Sequence, residues 1–197
     1  MEEFPHLMIY SLPAPIRLDR PLDHEAVKQT ICDGLRKLES TGADFIALPC
    51  NTAHIYFDEL AQCIHAPLLN MIDETIKAIP AGTKKVALFA THMTVEAGLY
   101  QRGIEQAGLE LILKESWQEK VTELITTIIS SAANLSPQKQ WDQLVAEVKV
   151  AGVDAILLGC TDLNVVSQRI PEGILLLDAT QCLAQAVVRR YRESLTH

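Results

Sequence analysis

The feature of this sequence that most constrains its fold is an internal repeat. Residues 41–52 and residues 151–162 share one pattern: a Gly, an Asp two positions later, a short apolar run, and a cysteine followed by small polar residues. The repeated cysteines are Cys50 and Cys160. A second pair of similar segments contains Asp73 and Asp178, and these two residues are separated in sequence by nearly the same distance as the two cysteines. A near-constant offset indicates duplicated structural units.

The repeated apolar runs predict where the two cysteines lie in the fold. Residues 45–48 and 155–158 have the composition of buried strands in a parallel sheet. Each cysteine then follows the carboxyl end of its strand, which is where open α/β sheets bind ligands. Two related half-domains that face each other would bring both thiols to one cleft.

Hydrophobic periodicity predicts strands that alternate with helices along the chain. The strands are predicted at residues 7–11, 45–48, 68–71, 86–90, 109–113, 155–158 and 174–177. The helices are predicted at residues 23–40, 53–64, 74–79, 94–107, 118–131, 137–150, 162–169 and 180–195. This order is typical of an α/β fold with parallel sheets, and Pro80-Ala81-Gly82 is the best break between the halves.

The repeat also indicates that one unit is missing. The stretch of the second half from Lys84 to Asp154 is longer than the stretch of the first half that ends at the equivalent Asp44. The shortfall is close to the length of one strand–helix unit, so we expect the first half to lack its opening unit. We expect one of three compensations: the strands close up, a partner chain covers the gap, or the chain is a shortened version of a longer protein. A homodimer that covers the exposed strand edge is the first choice.

Composition argues against several classes of partner. The net charge of −8 argues against nucleic acid, and no apolar stretch approaches the length of a membrane span. The acidic, proline-bearing start does not resemble a signal peptide, so the cytoplasm is the expected location. In a reducing compartment the five cysteines, at positions 32, 50, 63, 160 and 182, are expected to be thiols.

Both cysteine turns have features of a catalytic site. A turn between a strand and a helix offers unpaired N–H groups and the positive end of a helix dipole, which lower a thiol's pKa and hold a carboxylate. Asn51, Thr52 and Thr161 add side-chain hydrogen bonds, and Thr91 lies in a third such turn. Two thiols beside a bound carboxylate suit removal of a proton from carbon and delivery of a proton to the opposite face.

Several remaining polar and aromatic residues have simpler interpretations. His54, four residues after Cys50, could ligate a metal with it, but no other ligand pair is evident, so we predict no metal site. We interpret His54 as a hydrogen-bond partner or a structural residue. Asp73 and Asp178 are interpreted as helix caps. Packing is the expected role of Cys32, Cys63, Cys182, Tyr100, Trp117 and Trp141.

The two signatures resemble those of a known family. Residues 49–54, Pro-Cys-Asn-Thr-Ala-His, and residues 159–162, Gly-Cys-Thr-Asp, are similar to the paired motifs of the aspartate/glutamate racemase family, nearest to the aspartate racemases. The resemblance covers essentially the whole chain. It implies a cofactor-independent enzyme with two pseudo-symmetric α/β domains, each contributing one cysteine to an active site in the cleft between them.

The resemblance also implies domain boundaries and residue roles. The closing strand and helix, residues 175–188, return to the first domain, which gives domains of residues 1–82 plus 179–197 and of residues 83–178. Residues 8–13 resemble the family's second strand. Cys50 and Cys160 are then the acid/base pair. The implied substrate-binding residues are Asn51, Thr52, Thr91 and Thr161, with Arg20, or its rival Arg17, for the side-chain carboxylate.

Three departures from the family pattern accompany this interpretation. The family begins with a strand and a glycine-rich loop that this sequence lacks. Asp162 stands where the family usually has glutamate, and Ser136, with Lys139 three residues on, stands where aspartate racemases can place a lysine.

The sequence thus predicts a racemase that interconverts L- and D-aspartate, or glutamate, with a small amino acid as its partner molecule. Isomerases and decarboxylases that share the fold often change one cysteine, so two intact cysteines favour racemisation. A catalytically dead binding protein and a redox role for the cysteine pair stay open as hypotheses.

Overall fold

The computed structural model describes residues 5–13, 22–130, 136–167 and 172–195. In these ranges six strands form two parallel sheets, one in the order β1-β2 and the other in the order β4-β3-β5-β6. The strands are β1 (Ile46–Ala47), β2 (Leu68–Leu69), β3 (Lys85–Ala90), β4 (Glu110–Ile112), β5 (Ala155–Gly159) and β6 (Leu175–Asp178). The predicted α/β fold with parallel sheets is confirmed.

Eight α-helices accompany these strands in the described ranges. They are α1 (His24–Glu39), α2 (Phe57–Gln62), α3 (Met71–Lys77), α4 (His92–Glu96), α5 (Gln101–Gln106), α6 (Glu115–Ser130), α7 (Pro137–Val150) and α8 (Ala179–Ser194). Two 3-10 helices, Thr52–Tyr56 and Thr161–Val165, follow β1 and β5.

The four-stranded sheet forms the core of the second half because its central strands are apolar on both faces. All of β5 and all but the first residue of β3 are buried. One face packs against α6 and α7, where Phe89 meets Trp141 edge to face with ring centroids 5.9 Å apart. The other face packs against Tyr100, which directly precedes α5, and against Ile104 in the middle of that helix.

The small sheet packs against α1, whose apolar residues recur every four positions. Val27, Ile31 and Leu35 are buried, and they form one cluster with Ile46 of β1. The helix begins after Asp23, whose carboxylate accepts a 3.0 Å hydrogen bond from the backbone N–H of Ala26. A side chain that satisfies a free N–H group in this way is a standard start for a helix.

The last helix, α8, packs against the first half of the chain. Ala179 and Leu183 form a cluster with Met71, the first residue of α3. Asp178 caps α8 by accepting a 2.8 Å hydrogen bond from the Thr180 N–H, which confirms one predicted cap. The other predicted cap, Asp73, is wrong.

A different side chain caps α3 and moves its start towards the N-terminus. The side-chain oxygen of Asn70 accepts hydrogen bonds from the N–H groups of Ile72 and Asp73, at 2.9 and 3.2 Å. The helix therefore begins at Met71 rather than at the predicted residue 74.

The predicted strand at residues 7–11 is wrong. Residues 5–13 have no regular secondary structure, and Leu7 and Ile9 are 75% and 81% exposed. A strand needs a neighbour for its backbone groups, and in the described part of the chain β1 pairs with β2 alone. Leu12, at the end of this segment, packs against the cluster around α1, where a Cβ on Gly34 would lie 3.1 Å from its side chain.

Three predicted helices differ locally from the structure. The helix predicted at residues 94–107 is split into α4 and α5 because Gly98 adopts a φ of 67°, which a right-handed helix does not allow. The helices predicted at residues 53–64 and 162–169 begin as 3-10 helices close after the two cysteines. Residues 168 and 169, which end the second of these predictions, lie outside the described residues.

The prediction that all five cysteines are thiols is wrong for two of them. Cys32 of α1 and Cys63, which directly follows α2, form a disulfide at a sequence separation of 31, with Cα atoms 5.9 Å apart. The spacing of the cysteines in the sequence does not indicate this pair, because packing of α1 on α2 is what brings the two residues together. Cys50, Cys160 and Cys182 are free.

Of the helices in the described ranges, none is long and apolar enough to cross a membrane.

Candidate active site

Cys50 lies in a turn that hydrogen bonds hold at the end of the small sheet. Its N–H donates a 2.9 Å hydrogen bond to the carbonyl of Leu48, and the N–H of His54 donates a 2.9 Å bond to the carbonyl of Asn51. The 3-10 helix that follows directs the N–H groups of Thr52 and Ala53 towards the sulfur. The local fold thus places the partly exposed thiol of Cys50 beside two backbone N–H donors, those of Thr52 and Ala53.

His54 links the turn of Cys50 to the first residue of α3. Its Nε2 accepts a 3.0 Å hydrogen bond from the N–H of Met71, so the ring proton is on Nδ1, which donates a 2.8 Å bond to the carbonyl of Cys50. Burial lowers the pKa of His54 and favours the neutral ring. The interpretation of His54 as a hydrogen-bond partner is confirmed, and both of its nitrogens are engaged within the protein.

Cys160 lies beside Thr91 at the carboxyl edge of the four-stranded sheet. Ala90 of β3 pairs in register with Gly159 of β5, so the next residues, Thr91 and Cys160, leave neighbouring strands at the same level. Cys160 is 7% exposed, and its sulfur lies 3.6 Å from a carboxylate oxygen of Asp162. Thr161, between them, begins the second 3-10 helix.

Both thiols have raised pKa values, so the predicted lowering is wrong in this structure. Burial raises the pKa of Cys50 more than the N–H groups of Ala53 and Thr52 lower it. Burial also raises the pKa of Cys160 to about 12, and the Asp162 carboxylate adds to the rise. The physical reason is that loss of hydration disfavours a thiolate more strongly than backbone donors at one side stabilise it.

The two cysteine turns influence each other electrostatically. The carboxylate of Asp162 contributes to the raised pKa of Cys50, and the charge of Cys50 contributes to the raised pKa of Cys160. The geometry agrees, because Thr52 of the first turn lies 2.9 Å from Thr91, and Thr91 and Cys160 directly follow paired residues of β3 and β5.

Three threonine hydroxyls join the first half to the second. Thr52 Oγ1 lies 2.9 Å from Thr91 Oγ1 and 3.0 Å from Thr94 Oγ1, and the last two are 2.9 Å apart. Thr91 also caps α4 by accepting a bond from the Thr94 N–H. The structure thus brings Thr52 and Thr91 together, and it adds Thr94, which lies one helical turn after Thr91 and is not one of the predicted binding residues.

Asn51 is held by a residue that we predicted to serve packing alone. Asn51 is 3% exposed, and its Oδ1 accepts a 2.5 Å hydrogen bond from the hydroxyl of Tyr100. Its Nδ2 is buried without a hydrogen-bond partner among the residues that the structure describes. The signal that could have found Tyr100 is its chemistry, because a buried phenol usually has a hydrogen-bond partner.

Not every predicted site residue can be placed. Arg20 and its rival Arg17 lie outside the described residues. Lys139 is exposed in the first turn of α7. In the described ranges no group of three or more His, Cys, Asp and Glu side chains could hold a metal ion.

A cavity of about 410 Å³ lies away from this chemistry. It is lined by Glu74, Lys77, Ala78 and Arg189, and so by α3 and α8. Its charged groups already pair with one another, since Glu74 contacts Arg189 at 2.6 Å and Lys77 at 2.8 Å. We therefore assign the candidate site to the cysteine turns.

Comparison with known proteins matches one family along almost the whole chain. The family model described as Asp/Glu/Hydantoin racemase matches residues 1–187. The broad specificity amino-acid racemase RacX of Bacillus subtilis is 42% identical over 189 residues, which cover 96% of this chain and 83% of that protein. Glutamate racemase of Aquifex aeolicus is 25% identical over 158 residues, covering 76% of this chain and 59% of that enzyme.

Solved structures show the same fold. Aspartate racemase of Picrophilus torridus superposes with a TM-score of 0.72 at 29% identity, covering 82% of this chain and 68% of that one. An aspartate racemase homologue from Pyrococcus horikoshii superposes with a TM-score of 0.75 at 24% identity, covering 95% of this chain and 84% of that one, and this likeness concerns the fold alone.

Proposed function

We propose that this chain, which belongs to the Asp/Glu/hydantoin racemase family, is an amino-acid racemase that interconverts L- and D-aspartate, or glutamate, by a two-thiol acid–base mechanism. The resemblance predicted from the cysteine signatures is confirmed at the level of the family. That resemblance implies no cofactor. The substrate and the roles of individual residues are the parts that we propose.

The observation that carries the proposal is the placement of Cys50 and Cys160. Each thiol follows the carboxyl end of a parallel strand, and Thr52 beside Cys50 lies 2.9 Å from Thr91, which leaves β3 next to Cys160. In this mechanism one thiolate removes the α-proton from one face of the substrate, and the other thiol gives its proton to the opposite face. The sulfurs then exchange roles for the reverse reaction.

Near-attack geometry sets the expected spacing of the sulfurs. A proton carrier about 3.5 Å from each face of one α-carbon requires sulfurs roughly 7–8 Å apart in the substrate complex. A separation beyond about 15 Å in that complex would rule out the two-thiol mechanism.

The donors around the thiols suit a carboxylate. The unpaired Nδ2 of buried Asn51 is a donor that a bound acceptor would satisfy. The hydroxyls of Thr52 and Thr91 meet in the threonine cluster next to it, and Thr161 lies in the turn of Cys160. We assign these four residues to the amino-acid carboxylate and Arg20 to the distal carboxylate. Such donors also stabilise negative charge that develops at the α-carbon.

Because both thiols have raised pKa values, the bound substrate can influence the formation of the thiolate that removes the α-proton. Burial keeps both sulfurs mainly protonated near neutral pH. A positive α-ammonium group placed near a thiol favours the thiolate and lowers its pKa. The substrate's carboxylates act in the opposite sense, so thiolate formation on binding requires the α-ammonium group to lie nearer the sulfur than the carboxylates do.

The decisive experiment measures racemisation by circular dichroism, with aspartate tested first and glutamate second. Cys50→Ser and Cys160→Ser are each expected to lose racemisation by roughly 10³-fold or more, since the two thiols act as a unit. Each variant should still exchange the α-proton of one enantiomer with solvent deuterium, which NMR detects. Undiminished racemisation in either variant would contradict the assignment.

Cys182→Ser is the matched control for these variants. Cys182 is free and buried in α8, so the substitution removes a third thiol outside both turns. It is expected to keep wild-type racemisation. The assay should include neutral amino acids, since the name of the Bacillus relative describes broad specificity. A wild-type protein that binds amino acids but racemises none would favour a dead binding protein.

Domain organisation and assembly are part of the same proposal. We propose domains of residues 1–82 plus 179–197 and of residues 83–178, since α8 packs against α3.

We also propose a homodimer, because Leu7, Met8 and Ile9 form an exposed apolar run. Light scattering during size-exclusion chromatography tests this, and a monomer at all concentrations would contradict it. A cytoplasmic location is proposed as well, because Cys50, Cys160 and Cys182 are free thiols, and the Cys32–Cys63 disulfide is the one feature that argues for an oxidising compartment.

A further inference from the structure

We propose that Tyr100 is a positioning residue that orients the Asn51 amide and bridges the two cysteine turns. Its meaning for catalysis depends on the proposed function, whereas its geometry depends only on contacts of the described residues. In these contacts Tyr100 touches neither sulfur, so its role would be exerted through the residues next to them.

The hydroxyl of Tyr100 contacts the turn of Cys50. It donates a 2.5 Å hydrogen bond to Oδ1 of Asn51, the residue directly after Cys50, from a position 49 residues away in sequence. Tyr100 is 0% exposed and Asn51 is 3% exposed, so water does not compete for this bond. Burial raises the pKa of Tyr100, which keeps the phenol protonated as a donor.

The structure pairs the phenol with the amide oxygen of Asn51 rather than with its amide nitrogen. An amide oxygen only accepts hydrogen bonds and an amide nitrogen only donates them. With Oδ1 bound to the phenol, Nδ2 faces away from Tyr100, and no residue in the described ranges is its hydrogen-bond partner. A phenol can also accept a hydrogen bond, so the role we assign to Tyr100 is that of the donor, which leaves the amide N–H groups of Asn51 for an acceptor such as a carboxylate.

The ring of Tyr100 lies close to Gly159, the residue directly before Cys160. A Cβ built on Gly159, the residue directly before Cys160, would lie 3.3 Å from Cε2 of Tyr100. One side chain therefore bonds to the residue after Cys50 and lies close to the residue before Cys160. The threonine cluster differs in this respect, because it joins the Cys50 turn to the Thr91 turn.

The backbone that carries Tyr100 is itself held firmly. Tyr100 directly precedes α5, and α5 packs closely on α3, where a Cβ on Gly103 would lie 2.3 Å from the side chain of Ile76. A rigid element of this kind can hold a side chain within the narrow tolerance that catalytic geometry requires.

The test is a double-mutant cycle of Tyr100→Phe and Asn51→Ala in the racemisation assay. Phe keeps the ring and removes the hydroxyl. We expect Tyr100→Phe to raise KM about tenfold, the scale of one lost oriented hydrogen bond, and to change kcat less than about threefold. In the Asn51→Ala background, Tyr100→Phe should raise KM by less than about twofold further. Independent effects that multiply would overturn the proposal.

Tyr56→Phe is the matched control. Its hydroxyl makes a 2.6 Å hydrogen bond with Nδ1 of His24, so this variant also loses a phenol hydrogen bond. It is expected to leave KM unchanged within about twofold. An equal rise of KM in both variants would mean that loss of any such bond disturbs the site, and it would overturn the specific role of Tyr100.

A readout without activity separates this proposal from the proposed function. The side-chain amide of Asn51 can be assigned in a ¹⁵N NMR spectrum by its loss in Asn51→Ala. We expect Tyr100→Phe to shift and broaden this signal, while Tyr56→Phe leaves it in place. An unchanged Asn51 amide signal in Tyr100→Phe overturns the positioning role whether or not the wild-type protein racemises any amino acid. Thermal unfolding of each variant shows that it is folded during the measurement.

Discussion

The sulfur of Cys160 lies 3.6 Å from a carboxylate oxygen of Asp162 in the same turn. The two groups oppose each other when both are charged, and the carboxylate adds to the burial that raises the pKa of Cys160 to about 12. As the pH rises towards that value, the thiolate fraction of Cys160 increases. Asp162 thus holds its neighbouring thiol in the protonated form.

Asp162→Asn is expected to make Cys160 more reactive. Removing the negative charge stabilises the thiolate, so alkylation of Cys160 by iodoacetamide at pH 8 should be about three- to tenfold faster. Mass spectrometry of the Cys160 peptide measures the rate, and the peptide of Cys182 serves as the internal control. A slower or unchanged rate at Cys160 would show that the carboxylate does not raise its pKa.

Thr91→Val is expected to lower kcat/KM by about tenfold and to reduce stability. The substitution removes a hydroxyl that contacts Thr52 and Thr94, and it removes the cap of α4, which costs about 0.5–2 kcal/mol. Thr91→Ser keeps the hydroxyl and is the control. Kinetics and urea unfolding measure the two effects. Equal behaviour of the Val and Ser variants would contradict a role for the hydroxyl.

Acidification is expected to destabilise the protein through His54. Burial lowers the pKa of His54 in the folded state, so its contribution to stability is present above the unfolded-state pKa and is lost as the pH falls below it. The loss approaches about 1.4 kcal/mol per pH unit at most. Urea unfolding between pH 8 and pH 5 measures it.

His54→Asn is expected to be less stable and to show less of this pH dependence. His92→Asn, which alters an exposed histidine paired with Glu96, should keep the wild-type dependence. A wild-type slope in His54→Asn would show that another group is responsible.

Reduction of the Cys32–Cys63 disulfide is expected to lower the free energy of unfolding by about 3–4 kcal/mol. The bond joins residues at a sequence separation of 31, and a closed loop restricts the unfolded chain. Thermal unfolding with and without dithiothreitol measures the effect. Cys32→Ser should be insensitive to the reductant, whereas Cys182→Ser should respond like the wild type. A wild-type melting temperature that does not change on reduction would contradict the expectation.

The sequence predicts best the elements whose pattern is continuous. The apolar runs of β3 and β5 fill both faces of the central sheet, so their composition alone identified them as buried strands. The repeat around the cysteines likewise placed both thiols after strands. These predictions needed no knowledge of which segments meet in space.

The remaining features depend on contacts between distant segments. The apolar run at residues 7–11 has a strand's composition but lacks a pairing partner among the described residues, so it is exposed. The bond between Cys32 and Cys63 requires the packing of α1 on α2. The hydrogen bond from Tyr100 to Asn51 joins residues that no local pattern relates.

Gly159 sets a limit on how this site can change. A single added carbon there would approach Ala90 to 2.9 Å, Leu88 to 3.1 Å and Tyr100 to 3.3 Å at once. Contacts this short are rare, and three neighbours on two elements cannot all retreat together in a close-packed interior. A library that randomises position 159 alone should therefore return glycine, on grounds of packing that are independent of the chemistry of Cys160 and the residues after it.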